Sequence, residues 1–388
     1  MMVRPIEPAT LPTVPAPTAP ASLSEQYLVD EPLERAFTIP SRWYTDPAYH
    51  TFDQQSVIAS TWQYVGHLSQ IPHPGDYIAA EIAGEDVVIV RAEDHSLKAF
   101  FNVCRHRGGP LVTQRCGSAS PRVLKCKYHG WTYRLDGSLR GVPRFDRSEL
   151  FDKKDFALVP VSVETFQGVI FVRLVPDGPS LQSVMNGVDE RIAPLSLHGL
   201  TFAKRVTYRI ACNWKVYVDN YLEGYHLPLV HPELCKVLDY RAYKTETATY
   251  YSLQHSPLQS TENPYHSSGD DVAAYYYFVY PNTMYNIVPG RLQMNSVIPI
   301  DADTCEVIFD YFYDTDEPEA VAMRLKDDLT FSEQVQQEDI DICERVQRGL
   351  HSRAYDRGRF SVEMEAGVHH FQQLLKASYR DAVSQKLG

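Results

Sequence analysis

The segments CRHRGGP, residues 104–110, and CKYHGW, residues 126–131, decide the fold of the N-terminal part of the chain. Each segment offers one thiol and one imidazole, and 19 residues separate the first histidine from the second cysteine. The four side chains are Cys104, His106, Cys126 and His129. Glycines follow both pairs, and they allow backbone N–H groups to approach sulfur atoms closely. The pattern therefore predicts two loops that converge on one metal centre.

The distribution of these ligands distinguishes two kinds of metal centre. A [2Fe–2S] cluster with two Cys on one iron and two His on the other suits loops that each give one Cys and one His. A structural zinc site is the alternative, because two Cys and two His also satisfy tetrahedral Zn²⁺. Zinc ligands more often come as Cys-x2-Cys followed by His-x3-His. The mixed pairs of this sequence favour the cluster.

The chain around these loops is typical of short antiparallel strands. Between residues 66 and 174, short β-favouring runs alternate with Gly, Pro and Asp, and Asp136-Gly137 suits a hairpin turn. We expect an antiparallel β domain over residues 41–175, including a preceding helix that starts near Asp46.

Residues 176–388 form the second predicted domain. Helices over 317–349 and from residue 362 close the chain, so we expect an antiparallel sheet gripped by a long C-terminal helix. The whole chain is then of the α+β class. The predicted strands of this domain are 201–210, 247–253, 274–280, 283–287, 293–299 and 305–314.

A second pair of histidines occurs in DNYLEGYHLPLVHP, residues 219–232. On an ideal straight helix, His226 and His231 point about 140° apart. Both reach one metal only if the helix breaks between them, so we expect Pro228 to make the break and Pro232 to end any helical segment after it. Two His and one carboxylate on one face form the ligand set that binds Fe(II) and activates O2.

The carboxylate must come from another part of the chain. The acidic segment QQEDIDICE, residues 336–344, lies on the predicted long helix. Asp339 is the predicted third ligand, and Glu338 and Asp341 are the alternatives. An isolated histidine is more often an ordinary core or surface residue, but two metal patterns in one chain support each other.

Both motifs resemble those of one family. The Cys-x-His and Cys-x2-His pairs, with Gly-Trp after the second, resemble the Rieske domain of ring-hydroxylating and N-demethylating oxygenases. Segments 219–232 and 336–344 resemble the catalytic domain of the same oxygenases. Gly109 and Tyr128 stand where respiratory Rieske proteins carry an extra pair of disulfide-forming cysteines. The resemblance is therefore to an oxygenase and not to a membrane electron carrier.

The resemblance implies how the two centres cooperate. It makes Asp339 the third iron ligand and gives Glu223 a hydrogen bond to an iron-binding histidine. It also makes Glu223 the electron bridge from His129 of a neighbouring subunit, and hence implies a ring-shaped homotrimer. The family more often has Asp at that position, and a solvated helix-surface carboxylate is the alternative for Glu223.

A separate electron donor is also expected. The chain contains no G-x-G-x-x-G fingerprint for a dinucleotide. The chain therefore needs a partner to collect electrons from a nicotinamide. The family resemblance implies that this partner is an NAD(P)H-dependent reductase of flavin or ferredoxin type, in a two- or three-component monooxygenase.

Softer motifs indicate the substrate. They resemble the branch that contains choline monooxygenase and the glycine betaine and quaternary ammonium demethylases, which hydroxylate or N-demethylate small cations. The segments concerned are 219–226, 278–282, 307–312 and 344–350. Tyr275, Tyr277 and Tyr285 lie on strands predicted to face the interior, where aromatic faces attract trimethylammonium groups. Ordinary sheet packing is the alternative for each tyrosine.

Two other functions remain open from sequence. One is an oxygenase that hydroxylates the ring of an aromatic acid or removes its O- or N-methyl groups, with Arg291 pairing with the carboxylate. The other is a Rieske electron-transfer protein without oxygenase activity, which leaves the second set of metal ligands without a role.

Composition excludes some partners. A formal net charge of −12 argues against nucleic acid and against an anionic membrane surface. Residues 1–40 are expected to form a disordered proline-rich leader and lead-in, since six prolines lie between Pro5 and Pro20. With no apolar signal segment and seven sparsely spaced cysteines, a cytoplasmic protein with reduced thiols is expected.

Overall fold

The computed structural model describes residues 17–119, 121–195, 197–258, 273–314 and 317–384. They form two compact units. The first is Ile58–Leu181, and the second combines Pro17–Val57 with the chain from Gln182 onward. The first sixteen residues of the predicted leader lie outside the described residues.

The lead-in before the first unit differs from the prediction. Helices α1 (Arg42–Thr45) and α2 (Pro47–Asp53) belong to the second unit, although the sequence grouped them with the first. The Asp46 carboxylate caps α2 by accepting from the Ala48 N–H at 2.9 Å. Trp43 and Tyr379 are both fully buried, with ring centroids 4.8 Å apart, so this segment packs against the C-terminal helix.

Ten strands make up the described part of the first unit. They are β1 Gln63–His67, β2 Asp76–Ile82, β3 Glu85–Arg91, β4 Leu97–Phe101, β5 Cys116–Ser118, β6 Leu124–Lys125, β7 Thr132–Tyr133, β8 Leu139–Gly141, β9 Pro160–Phe166 and β10 Val169–Arg173. A seven-stranded sheet has the order β1-β10-β9-β4-β3-β2-β5, and a three-stranded sheet has the order β6-β7-β8. All pairs are antiparallel, which confirms the predicted β domain.

The small sheet has the predicted Asp-Gly turn between β7 and β8. Asp136 Oδ1 accepts from the Ser138 N–H at 2.8 Å, and Gly137 has a φ of +85°. A side chain at Gly137 would also clash with the Phe100 ring, since its Cβ would lie 2.4 Å from that ring. Glycine is therefore required by both conformation and packing.

The second unit combines one sheet with helices. After α1 and α2, its helices are α3 Leu181–Val184, α4 Val188–Ile192, α5 Trp214–Tyr221, α6 Leu227–Val230, α7 Leu234–Val237, α8 Pro318–Leu350 and α9 Ala366–Ser384. Its strands are β11 Thr201–Ile210, β12 Lys244–Thr247, β13 Tyr251–Pro257, β14 Ala273–Val279, β15 Thr283–Val288, β16 Arg291–Pro299 and β17 Cys305–Tyr313. The antiparallel order is β11-β17-β16-β15-β14-β13-β12. This is the predicted α+β arrangement.

The long helix α8 lies against β11 and α5. The Tyr208 hydroxyl donates to Glu333 at 2.8 Å, and the Tyr217 hydroxyl donates to Gln336 at 2.6 Å. The Asn213 N–H donates to the Gln347 side chain at 3.0 Å. The helix therefore presents its middle turns to the segment that carries the histidine pair.

One predicted strand is wrong. Residues 247–253 were expected to be continuous, but a turn at residues 248–250 separates β12 from β13. The Ala248 N–H donates to the Tyr251 carbonyl at 2.8 Å across this turn. Neither Gly nor Pro marks this turn in the sequence.

Among the described residues, no helix combines the length and apolar character needed to cross a bilayer.

Candidate metal centres

The two cysteine loops of the first unit share one backbone hydrogen-bond pattern. In each loop the cysteine N–H donates to the carbonyl five residues later, at 2.8 Å for Cys104 and 2.9 Å for Cys126. The cysteine carbonyl accepts from the N–H four residues later, at 3.0 Å in both loops. That residue is Gly108 or Gly130, with φ of +73° and +77°. Equal turns therefore present the two thiols in the same way.

The four predicted cluster ligands come together between these loops. Cys104 and Cys126 are buried, and the rings of His106 and His129 lie 4.7 Å apart between centroids. A Cβ on Gly109 would lie 3.1 Å from the Cys126 sulfur, so only a bare backbone fits there comfortably. Two buried thiols with two adjacent imidazoles and a side-chain-free loop fit a [2Fe–2S] cluster.

The surrounding aromatic residues hold the ligands. The Tyr133 hydroxyl lies 3.3 Å from the Cys104 sulfur and accepts from the Arg105 N–H at 3.0 Å. Burial raises the pKa of Tyr133, so its hydroxyl keeps the proton. The His106 ring stacks on Trp131 at 4.8 Å with an interplanar angle of 8°. Hydrogen-bond donors to sulfur and a fixed imidazole orientation both tune such a cluster.

The histidine pair of the second unit is held differently from the prediction. His226 and His231 flank α6, the first as its N-cap and the second as its C-cap. The break comes earlier, because α5 ends at Tyr221 and residues 222–226 are non-helical. Pro228 occupies the first turn of α6, where the missing N–H costs nothing, and so begins a helix instead of breaking one.

The three predicted iron ligands are brought together. His231 Nε2 lies 2.9 Å from Asp339 Oδ1, and His226 Nε2 lies 3.9 Å from the same oxygen. One donor atom from each of the three residues lies within 4.8 Å of the others. Asn220 donates to Asp339 Oδ1 at 2.6 Å and so orients this carboxylate. Two imidazoles and one carboxylate that face a common point fit Fe(II).

Each imidazole is held from behind by a glutamate. Glu223 Oε1 lies 2.6 Å from His226 Nδ1, and Glu338 Oε2 lies 2.7 Å from His231 Nδ1. A carboxylate at Nδ1 keeps the proton there and leaves Nε2 free to bind metal. Glu223 therefore makes the hydrogen bond that the family resemblance implied.

The two alternatives to Asp339 as the third ligand, Glu338 and Asp341, lie away from the Nε2 atoms of the histidines. Glu338 contacts the ring nitrogen opposite the one that faces Asp339, so it cannot share a metal at Nε2. Asp341 is exposed and lies 3.8 Å from Arg345.

The acids around His231 also change its acidity. Burial acts to lower the pKa of His231, but contacts with Asp339 and Glu338 raise it overall. The acids therefore form a strongly negative environment that suits a cation.

A cavity of about 120 Å³ adjoins the three ligands. No Lys or Arg occurs among the described residues that line it. Burial raises the pKa of Tyr217, Tyr221 and Tyr243, so these hydroxyls are neutral near pH 7. The aromatic lining residues are Tyr217, Tyr221, Tyr243, Tyr276, Phe309 and Phe331.

The predicted substrate tyrosines do not line this cavity. Tyr275 stacks with His255 at 6.3 Å, and Tyr277 packs against Tyr251 at 5.6 Å. Tyr285 is almost fully buried and pairs with Tyr277 in the sheet register.

Tyr276 lines the cavity instead, and its cross-strand partners Gln254 and Asn286 also line it. Successive residues of a strand face opposite sides of the sheet, so Tyr275 and Tyr277 lie on the face of β14 that is turned away from the cavity. The polar residues Gln254, Asn286, Gln293 and Asn295 on the same face as Tyr276 were the signal that sequence reasoning missed.

The aromatic-acid alternative required Arg291 to pair with the carboxylate of the substrate, but Arg291 is not available for that contact. It is buried, and Asp328 accepts from its Nε at 2.6 Å and from its Nη2 at 2.7 Å. The residue does not line the cavity.

Comparison with known proteins assigns both units. Residues 61–166 match the family model of the Rieske [2Fe–2S] domain, and residues 197–381 match that of the catalytic domain of the ring-hydroxylating alpha subunit. The chain is 36% identical over 360 residues to choline monooxygenase of Arabidopsis thaliana, which covers 89% of this chain and 83% of that protein.

The chain belongs to the Rieske non-haem iron oxygenases. It is also 32% identical to the carnitine monooxygenase oxygenase subunit of Escherichia coli K12, over 90% of this chain and 95% of that one. A solved quaternary ammonium Rieske monooxygenase, described for carnitine oxidation and inter-subunit electron transfer, matches with a TM-score of 0.83 and 31% identity. That match covers 92% of this chain and 98% of that one.

Membership of the Rieske oxygenases confirms several predictions. The chain is an enzyme with two cofactors, a [2Fe–2S] cluster and a mononuclear iron. The match to the catalytic domain excludes a pure electron-transfer protein. As an oxygenase subunit, it works with a reductase that supplies electrons. The cluster carries single electrons, and the mononuclear Fe(II) activates O2.

Proposed function

We propose that this Rieske oxygenase hydroxylates or N-demethylates a small quaternary ammonium compound. The mononuclear iron is held by His226, His231 and Asp339. The [2Fe–2S] cluster is held by Cys104, His106, Cys126 and His129. The substrate would occupy the cavity beside the three iron ligands, where the bound iron would supply the activated oxygen.

The observation that carries this proposal is the lining of the cavity. Six aromatic residues face it, while its described lining contains no Lys or Arg. An aromatic face attracts a cation by about 0.5–2 kcal/mol, and more where water is excluded. Glu223 and Asp339 also line the cavity and favour positive charge. Together these features suit a trimethylammonium group.

The relatives support the same substrate class. One is named a choline monooxygenase and another a carnitine monooxygenase oxygenase subunit, and both names describe quaternary ammonium substrates. An aromatic acid is less suitable, because Arg291, the guanidinium expected to bind its carboxylate, is already paired with Asp328.

Glu223 is the proposed electron bridge into the iron site. One carboxylate oxygen holds His226, and the other accepts from the backbone N–H groups of Tyr225 and His226. The side chain remains 13% exposed, so it can accept a contact from a further group. The proposed group is the imidazole of His129 in a neighbouring subunit.

Exposed apolar residues beside both groups support an oligomer, which we propose is a homotrimer. Tyr128, next to His129, is 58% exposed. Tyr225, which precedes His226, is 58% exposed, and Leu229, in helix α6 after it, is 89% exposed. Large apolar side chains exposed together commonly mark an interface. Each unit thus exposes at least one large aromatic side chain directly beside a histidine of the proposed electron path.

A single-turnover experiment tests the substrate class without the physiological reductase. The iron-loaded protein is reduced with dithionite, desalted anaerobically, and mixed with O2 and either choline, glycine betaine, carnitine or benzoate. We expect formaldehyde or an aldehyde product from at least one quaternary amine and no oxidised benzoate. Product from benzoate alone would overturn the proposal.

A further inference from the structure

One amide in the cavity has an orientation fixed by a chain of hydrogen bonds. Arg291 Nη2 donates to Gln293 Oε1, and Gln293 Nε2 donates to Asn295 Oδ1 at 2.9 Å. A guanidinium can only donate, so Gln293 must turn its oxygen toward Arg291 and its NH2 toward Asn295. Asn295 must then accept through its oxygen. Its Nδ2 is the last donor of the chain.

That donor is left for the cavity. Asn295 is 3% exposed and lines the cavity, and the hydrogen bond from Gln293 engages its Oδ1 and leaves Nδ2 as its donor. Gln336, 1% exposed, lines the same cavity. Its Oε1 accepts from Tyr217, while its Nε2 has no partner among the described residues. A buried donor without an acceptor, such as Gln336 Nε2, is costly, so a ligand oxygen that reaches it from the cavity removes the cost.

The positive charge of Arg291, at the start of this chain of hydrogen bonds, is neutralised by Asp328 outside the cavity. Asp328 binds Arg291 through two hydrogen bonds and also accepts from the Tyr313 hydroxyl at 2.8 Å. The final donor is therefore a neutral amide beside a neutralised pair. Residues 259–272, which are not described, contain neither Lys nor Arg.

No Lys or Arg among the described lining residues offers a counter-ion to a substrate carboxylate. The two charges of the proposed Fe(II) are already offset by its ligand Asp339 and by Glu223 and Glu338 behind the imidazoles, so a carboxylate would lose water and receive only neutral donors from the lining. Burying an unpaired charge costs far more than burying a hydroxyl or carbonyl that is hydrogen-bonded. The lining therefore favours a substrate whose oxygen belongs to a neutral hydroxyl or carbonyl group over one whose oxygen belongs to a carboxylate.

We infer that Asn295 and Gln336 form a subsite that donates hydrogen bonds to a neutral oxygen on the quaternary ammonium substrate. The preferred substrates are then cationic alcohols or their carbonyl relatives, and ammonium carboxylates bind less well. The inference rests on the proposed function, because it assigns the other end of the same substrate.

Calorimetric titration of the anaerobic, iron-loaded protein tests the subsite without turnover. Choline is compared with ethyltrimethylammonium, which lacks only the hydroxyl, and with glycine betaine, which carries a carboxylate. Losing a hydrogen bond to buried donors should weaken binding about 10-fold, so choline should bind about 10-fold more tightly than ethyltrimethylammonium. It should also bind more tightly than glycine betaine.

Substitutions test whether Asn295 and Gln336 cause the difference in affinity between choline and ethyltrimethylammonium. Asn295→Leu and Gln336→Leu should each reduce the difference between choline and ethyltrimethylammonium, while Gln337→Leu, on the exposed side of α8, should preserve it. Asn295→Asp covers the case in which the leucine variants fail to fold. Its carboxylate still accepts from Gln293 and can accept from the choline hydroxyl, so choline binding should persist while glycine betaine binding is lost.

The outcomes separate the two proposals. Equal binding of choline and ethyltrimethylammonium by the unaltered protein, or tighter binding of glycine betaine than of choline, overturns the subsite and leaves the proposed function intact. Absence of binding for all three quaternary ammonium compounds overturns the proposed function and the subsite with it.

Discussion

Glu338 Oε2 lies 2.7 Å from His231 Nδ1, while Asp339 Oδ1 lies 2.9 Å from Nε2 of the same ring. Two consecutive acids of α8 thus contact opposite nitrogens of one imidazole. Adjacent helical residues diverge by about 100°, which lets the ring fit between their side chains. The ring is fixed in the tautomer that binds metal, and of the two acids Asp339 is the one on the metal side.

Removing the glutamate behind His231 should weaken the mononuclear iron site alone. Glu338→Ala leaves Nδ1 without its acceptor, and such outer contacts are worth about 10–100-fold in metal affinity. Iron titration of the apoprotein should show this loss while the absorption of the [2Fe–2S] cluster is retained. Asp341→Ala, three residues along the same helix and exposed, is the matched control. Unchanged iron affinity in Glu338→Ala contradicts this role.

Mixed oligomers should reveal whether electrons cross between subunits. Cys126→Ser removes the cluster and His226→Ala removes the iron site, so each variant alone should be inactive. If the oligomer is the proposed trimer, each mixed trimer contains one intact cluster-to-iron pair across a subunit boundary and should recover about one third of the activity. Mixed oligomers isolated through two affinity tags are assayed with choline. If they stay inactive, electrons pass within one chain.

The tight loop around Cys126 should not tolerate a methyl group. In Gly109→Ala the new Cβ would lie 3.1 Å from the Cys126 sulfur, closer than ordinary packing allows. We expect reduced cluster incorporation, measured by absorption and acid-labile sulfide. Gly199→Ala, where nothing lies within 4 Å of the added Cβ, is the control. Full cluster content in Gly109→Ala would show that the loop yields easily.

Asp219 should make stability depend on pH. Burial raises its pKa to about 7, although hydrogen bonds from Tyr44 and Gln372 act in the opposite direction. Because the folded pKa exceeds the ordinary value, proton binding favours the folded state at pH 4, and this contribution is lost as the pH rises to 7. Asn resembles the protonated acid.

The measurement is the melting temperature across this range. Relative to the unaltered protein, Asp219→Asn should gain stability as the pH rises from about 4 to 7. Asp341→Asn, which changes an exposed acid, should follow the unaltered protein. Parallel curves for Asp219→Asn would show that the carboxyl group is ionised throughout.

The metal motifs were predictable because their ligands lie close together in sequence. Cys104 and His106 share one loop, and Cys126 and His129 share the other, so spacing alone indicates the cluster. The distant partner Asp339 needed the family resemblance to single it out. The contact of Glu338 with His231 depends on how α8 packs, which the sequence does not state.

Other features depended on register and packing. Tyr275, Tyr276 and Tyr277 are equally suited to a strand, and only pairing of Tyr276 with Gln254 and Asn286 decides which ring faces the cavity. Pro228 has the same local signal whether it begins or breaks a helix. Such outcomes are set by tertiary contacts rather than by local propensity.

The most direct test is the iron and sulfide content of the purified chain, compared with that of a His226→Ala/His231→Ala variant. The unaltered protein should contain three irons and two acid-labile sulfides per chain, and the variant should lose one iron while keeping the cluster spectrum. Two irons in the unaltered protein, or zinc in place of the cluster, would contradict the account of two iron centres held by these residues.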